Sequence, residues 1–201
     1  MAEPALRSND RILKKALELF SERGYDATSV REICEAAEIT KPTLYHFYGS
    51  KEGVYRTLVE GALVRFQGDM ARALSGEGTL RERLRRVARA YVDSALRDPD
   101  LVRFVMALIH NPPRSAPATD FIGFYGRIVA EVERAVEAAA ARGEIAPGPT
   151  QVRVLVLMGA LAEAMIGYLL AGRPALTHEL ADSLVEVVIG GWSAPASGTP
   201  A

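Results

Sequence analysis

Thr40, Lys41, Thr43, Tyr45 and His46 fall within one seven-residue stretch. They bring hydroxyls, an ammonium, a phenol, an imidazole and methyl groups, with no carboxylate at those positions. Phosphate oxygens are met by donors, and base edges by polar groups and methyls. On the exposed side of one helix, such a set suits contact with a nucleic acid. Pro42 is tolerated among them because first-turn amides have no helical partner. Thr28 and Ser29 would place hydroxyls and free amides at an earlier helix N-terminus, a ready phosphate site, and Lys51 would do the same at the start of a fourth helix. Two bland readings stand beside these. A tyrosine on a short helix is more often packing than contact, and His46 is as readily a solvent-facing residue as a base or phosphate ligand.

Catalytic patterns are missing. The chain has no G-x-S-x-G elbow, no phosphate-binding glycine loop and no H-E-x-x-H. His46, His110 and His178 are scattered without metal-ligand spacing, and the single Cys34 excludes an intrachain disulfide and a multi-cysteine zinc site. No enzyme, metal or cofactor is expected. A lone cysteine also fits a reducing cytoplasm.

The residues first considered need short helices to hold them. Ser8 or Asn9 caps a first helix whose apolar residues Ile12, Leu13, Ala16, Leu17, Leu19 and Phe20 recur at helical spacing. Gly24 ends it as a left-handed cap. Ser29 and Glu32 have capping-box spacing and open a second helix with Val30, Ile33, Cys34 and Ala37 inside. After a tight connection at Glu38-Ile39, Thr40 caps a third helix to about Phe47, with Leu44 and Phe47 facing inward against Ile33 and Ala37. Glu32, Glu35 and Glu38 would point away from any polyanion. Three such helices, the last two tightly joined, make a helix-turn-helix.

Further along, Ser50 caps a helix to about Leu74, and Ser75–Gly78 is a composition break. Thr79 and Glu82 form another capping box, opening a helix to about Arg97. Asp98-Pro99 starts one to His110, and a Pro-rich loop spans 111–117. Helices follow over about 118–142, 150–171 and 177–190, then a small-residue tail over 193–201 that is expected to be disordered. The fold class is all-α, with about nine helices. Residues 1–50 form the helix-turn-helix domain, 51–74 a linking helix, and 75–192 a second helical domain.

Composition supports a soluble globule: 201 residues, 49% hydrophobic and 24% charged. The net charge of -1 gives no basic signature, and residues 1–60 hold nine Lys/Arg against ten Asp/Glu. Any nucleic-acid argument therefore rests on where charges sit. The stretch 152–171 is of membrane-span length. However, Arg153 and Glu163 interrupt it, and a charge near mid-span costs about 2.5–3.5 kcal/mol. It reads as a buried helix of a soluble protein.

The run Thr28-Ser29-Val30-Arg31-Glu32-Ile33-Cys34-Glu35-Ala36-Ala37-Glu38-Ile39-Thr40-Lys41-Pro42-Thr43-Leu44-Tyr45-His46-Phe47-Tyr48-Gly49-Ser50-Lys51-Glu52, with Leu17, Leu19, Phe20, Gly24 and Tyr25 upstream, resembles the DNA-binding signature of the TetR family over residues 9–56. The resemblance implies Thr40, Lys41, Thr43 and Tyr45 at the groove, and Thr28, Tyr45 and Lys51 on phosphates. It also implies a homodimer that binds operator DNA and a second domain that binds an effector, with repression relieved by that effector. Two residues depart from the pattern. Cys34 replaces a usual alanine, which fits a buried thiol, and Glu38 replaces the usual glycine, so the turn has either an ordinary or a strained backbone.

In the second half, Val154, Leu155, Met158, Leu161, Ala162 and Met165 cover more than one face of their helix, and Leu184, Val187, Val188 and Trp192 extend the last. A helix apolar most of the way round must be covered on both sides, so these ten are expected at a two-fold interface, where Gly159 allows close approach. Phe66, Tyr91, Phe104, Met106, His110, Phe121, Phe124, Tyr125, Met165 and Tyr168 are either an effector pocket or plain core. Few charges accompany them, which favours an apolar or aromatic ligand. Arg103, His110 and Glu163 are the available polar anchors, each more readily a surface or paired residue. The competing reading is a ligand-independent DNA-binding protein of the same fold that acts through protein partners.

Overall fold

The computed structural model describes residues 8–110, 113 and 115–192, with His110 by its backbone only. The expectations for the tail 193–201 and for the His110 side chain lie outside the described residues. Among these there are nine helices and no strand: α1 (Ser8–Arg23), α2 (Val30–Ala36), α3 (Lys41–Tyr48), α4 (Lys51–Ser75), α5 (Leu80–Arg97), α6 (Pro99–His110), α7 (Phe121–Ala141), α8 (Thr150–Ala171) and α9 (His178–Gly190). Local capping fixes many of the starts. Ser29 and Glu32, and Thr79 and Glu82, close reciprocal capping boxes, while the hydroxyls of Thr40 and Thr177 accept from the amides of Thr43 and Leu180. α7 begins at Phe121 rather than near Ala118.

The described helices group into two compact units that do not follow chain order. The first takes residues up to 64 together with 100–121, and the second takes 65–99 and 122 onward. α4 runs through the boundary, and α6 belongs to the first unit. The first core is one apolar cluster: Ile12, Ala16, Phe20 and Tyr25 from α1 and its turn, Ile33 and Leu44 from α2 and α3, Val54, Tyr55 and Leu58 from α4, and Leu101, Phe104, Val105 and Leu108 from α6. Its aromatic centre has Phe20 stacked on Phe104 at 6.2 Å, with Tyr25 and Tyr55 edge-on at 4.9 Å.

In the second unit α5 and α9 run antiparallel. Arg81 and Arg85 bond Glu186, Arg89 grips Asp182 through Nε at 2.8 Å, and His178 Nε2 lies 2.7 Å from Asp93. These exposed pairs contribute at most about 1 kcal/mol each. Burying Leu84, Val87 and Tyr91 on α5 and Val185 and Val188 on α9 stabilises by about 1.5–3 kcal/mol per large side chain. The apolar seam therefore holds the pair and the ions fix its register.

α8 is long and apolar enough to cross a membrane, yet only 33% of its apolar window is buried within the chain. The buried side carries Val154, Leu157, Met158, Leu161, Met165 and Leu169. Val152, Leu155, Val156 and Leu170 face outward, as does Val187 on α9. This corrects the expected interface. Val154, Met158, Leu161, Met165, Val188 and Trp192 are filled by their own unit, and Ala162 and Leu184 are half-buried. Leu155 and Val187 remain open, at 70% and 78% exposure. The outward stripe 152, 155, 156, 159 on α8 follows the helical period.

Candidate nucleic-acid interface

α3 is held by two side chains one turn apart. Leu44 is fully buried, and Tyr48 is half-buried with its hydroxyl donating to the Asn9 carbonyl at 2.9 Å. Burial pushes the Tyr48 phenol above its ordinary pKa. Phe47, expected inside, is 47% exposed, because the residue four after Leu44, and not three, continues the inner face here. The rest of the helix presents Thr40, Lys41, Pro42, Tyr45 and His46 as exposed side chains, with Thr43 half-buried. Thr40 is the N-cap, and its hydroxyl lies 2.9 Å from that of Thr43.

The supporting residues are placed differently from the expectation. Thr28 is buried, and its hydroxyl donates to the Gly24 carbonyl at 2.9 Å, so it fastens the α1–α2 turn and is not an open hydroxyl. The start of α2 is already occupied: the Ser29 amide and hydroxyl both donate to the Glu32 carboxylate, at 2.8 and 2.7 Å. Those bonds hold the Glu32 carboxyl below the ordinary glutamate range. The Thr28 hydroxyl and the Ser29 amide and hydroxyl are thus all engaged within the chain. Glu32 also takes Arg23 at 3.0 Å, and Glu35 takes Arg31 at 2.7 Å, so both carboxylates are locally paired.

Lys51 is the largest revision. Its ammonium donates to the carbonyls of Tyr25 and Thr28, both at 2.9 Å, and sits 4.1 Å from the centre of the Tyr25 ring. Two of its three donors are spent on the α1–α2 turn. Tyr25 is itself buried, and burial, with the Glu52 carboxylate nearby, pushes its phenol up to about 12. The lysine therefore ties the start of α4 to the turn ahead of α2, and any phosphate contact is left to its third donor. No sequence spacing reveals such a bond, since its acceptors are backbone carbonyls far back in the chain.

Two backbone positions set the angles of the motif. Glu38, between α2 and α3, has φ 53°, the left-handed region that an L residue enters at a cost of about 1–2 kcal/mol. The turn is therefore strained. At Gly53 an added Cβ would lie 1.8 Å from the Tyr48 carbonyl oxygen, so only glycine lets the first turn of α4 pass this close to the end of α3.

The nine described aromatic and methionine candidates are divided between the two units. Phe104 is core of the first unit, packed on Phe20 and Tyr55, and Met106 and Phe121 belong to the same unit. In the second unit Tyr91 is buried edge-on to a half-buried Phe66 at 5.2 Å, and its phenol is raised by burial and by Tyr125. Met165 is buried, Tyr168 half-buried and Tyr125 exposed, and Phe124 lies under the Arg127 guanidinium at 4.4 Å. Of the polar anchors, Arg103 pairs with Asp100 and Glu163 is exposed. An open cleft of about 520 Å³ is lined by Glu77, Gly78, Glu82, Arg85, Arg86 and Arg89. Its Arg86 is already bonded to the carbonyls of Ala73, Gly76 and Glu77, a brace on the α4–α5 turn that sequence reading missed.

Residues 12–58 match the model of bacterial regulatory proteins of the tetR family. Over 57 residues the chain is 42% identical to IcaR, a negative transcriptional regulator of a biofilm operon in Staphylococcus epidermidis, covering 28% of this chain and 31% of that protein. The chain spans less than half the length of the curated relatives it matches. Solved structures match nearly throughout. The TetR-family regulator PfmR of Thermus thermophilus superposes with TM-score 0.73 at 22% identity, over 90% of this chain and 98% of that one. AibR in complex with isovaleryl coenzyme A and operator DNA gives 0.66 at 23%, over 91% and 98%.

Proposed function

We propose, from the match of residues 12–58 to the tetR-family model and from the fold shared with PfmR, that the chain is a TetR-family regulator, a dimeric repressor released from operator DNA by a small apolar or aromatic effector. The observation that carries the DNA half is the face of α3. Lys41, Tyr45 and His46 are exposed on a helix anchored by Leu44 and Tyr48, and the neighbouring carboxylates of Glu32 and Glu35 are paired. Lys41 and Tyr45 contact phosphate or base edges, and Thr40 and Thr43 stand beside them at the groove.

The dimer is supported by the outward stripe of Val152, Leu155 and Val156 with Val187. Apolar side chains on adjacent helices of this exposure are ordinarily covered by a partner, and a two-fold copy covers both stripes at once. Two α3 helices about 34–36 Å apart would then enter successive major grooves. An effector that binds better to another spacing lowers operator affinity by its differential affinity for the two states. Because α4 is shared by both units, it carries that change to the reader. The apolar acyl group of isovaleryl coenzyme A, with which the neighbour AibR was solved, makes short branched acyl compounds the first to titrate.

The test is selection of duplexes from a random pool by the full-length protein. An enriched palindrome is expected, weakened by Lys41→Ala and Tyr45→Phe without loss of melting temperature. Leu155→Asp should convert the dimer to a monomer by sedimentation. Failure to enrich any duplex would sink the operator reading, and an unchanged sedimentation coefficient the dimer interface.

A further inference from the structure

Phe47 has no place in the domain core. It lies on the last turn of α3, 47% exposed and outside the apolar cluster of the first unit, beside exposed His46, whose ring meets it edge-on at 5.3 Å. It shares a flank of the helix with Thr43, one turn earlier, and the Thr43 hydroxyl is engaged with Thr40. An aromatic side chain there has no donor for a phosphate and no acceptor for a base amine. The apolar group that a major groove offers is the C5-methyl of thymine.

We propose that Phe47 packs against a thymine C5-methyl and fixes base preference at that position of each half-site. The inference rests on the operator-binding reading above and adds to it a residue that works by apolar contact alone. His46 and Tyr48 flank the ring, at 5.3 and 6.2 Å between centroids. Tyr48, anchored to Asn9, keeps the helix end from rotating.

The experiment uses the full-length protein and the duplex it selects from a random pool, with deoxyuridine replacing thymine one position at a time. Deoxyuridine removes only the methyl. The parent protein should lose about fourfold in affinity at one thymine of each half-site, the effect of uncovering one methyl-sized group. Phe47→Ala should bind thymine and deoxyuridine duplexes equally, and Phe47→Leu should keep part of the discrimination. Both variants should stay folded, since the ring lies outside the core cluster and touches only His46 and Tyr48 among the described rings, and Phe47→Leu should melt closer to the parent than Phe47→Ala. A selected duplex without deoxyuridine sensitivity overturns the assignment of Phe47 alone, as does Phe47→Ala with the parent's sensitivity at every position. A pool from which nothing is enriched overturns the operator reading and this assignment together.

Discussion

Lys51→Met separates a clamp from a phosphate contact. Methionine keeps most of the stem and removes the ammonium, which deletes two bonds of 2.9 Å to the carbonyls of Tyr25 and Thr28 and the contact with the Tyr25 ring. A charge-assisted hydrogen bond contributes about 1.5–3 kcal/mol, and the ring contact about 0.5–1 kcal/mol. Lys51 is half-buried, so water takes up part of the loss, and a net cost of about 3 kcal/mol is expected. For a chain of this length that lowers the melting temperature by about 6–12 °C. Thermal unfolding of the full-length protein reads this directly, with the salt dependence of duplex binding measured alongside. If Lys51→Met melts within about 1 °C of the parent while the salt slope falls by about one, the lysine serves phosphate only and the clamp is refuted.

Three further outcomes are expected. Glu38→Gly relieves the left-handed strain of about 1–2 kcal/mol but returns about 0.4–1 kcal/mol of unfolded-state entropy, so the protein should gain about 0.5–1 kcal/mol in urea unfolding; a loss would contradict the strained turn. Gly53→Ala drives a Cβ into the Tyr48 carbonyl and should cost at least about 2 kcal/mol, whereas an unchanged urea midpoint would show that α4 approaches α3 less closely. The carboxyls of Glu32, Glu82 and Glu144 are held below their ordinary values, by the Ser29 hydroxyl and amide, by the Thr79 amide and hydroxyl, and by the Leu80 amide with Arg142. Depressed folded-state values mean that their stabilisation is present above the ordinary carboxyl range and is lost as pH falls below about 4. Melting temperature should drop there, less steeply in Glu82→Gln, and equal slopes for the two proteins would exclude this cap from the acid transition.

Sequence reading reached furthest where the deciding contacts are local. Ser29 with Glu32, Thr79 with Glu82, and the Thr40 and Thr177 caps act within three residues, and the helix starts they set agree with the structure. It failed where neighbouring residue types are alike. Val154 and Leu155 are both apolar, yet one is fully buried and the other 70% exposed, and no composition rule tells them apart. Phe47 and Tyr48 pose the same problem, which the helical period from Leu44 resolves in favour of Tyr48. Lys51 was beyond reach because its acceptors are peptide carbonyls, which every residue carries. The aromatic candidates looked like one group because they are close in composition, but Phe104 and Phe121 belong to the first unit and Phe66 and Tyr91 to the second.

The membership of α6 in the first unit bears on how the protein is made. A ribosome releases α1 to α3 and the start of α4 first, then residues 65–99, and only afterwards Leu101, Phe104, Val105 and Leu108. Until those emerge, Phe20 and Tyr55 lack the ring that covers them, and the nascent domain carries an apolar opening that must wait for the rest of its wall. Synthesis order thus sets a timetable: the first unit completes only after residues 65–99 of the second have left the exit tunnel. A fragment cut at Val64 would contain the whole helix-turn-helix signature and still be an unfinished domain.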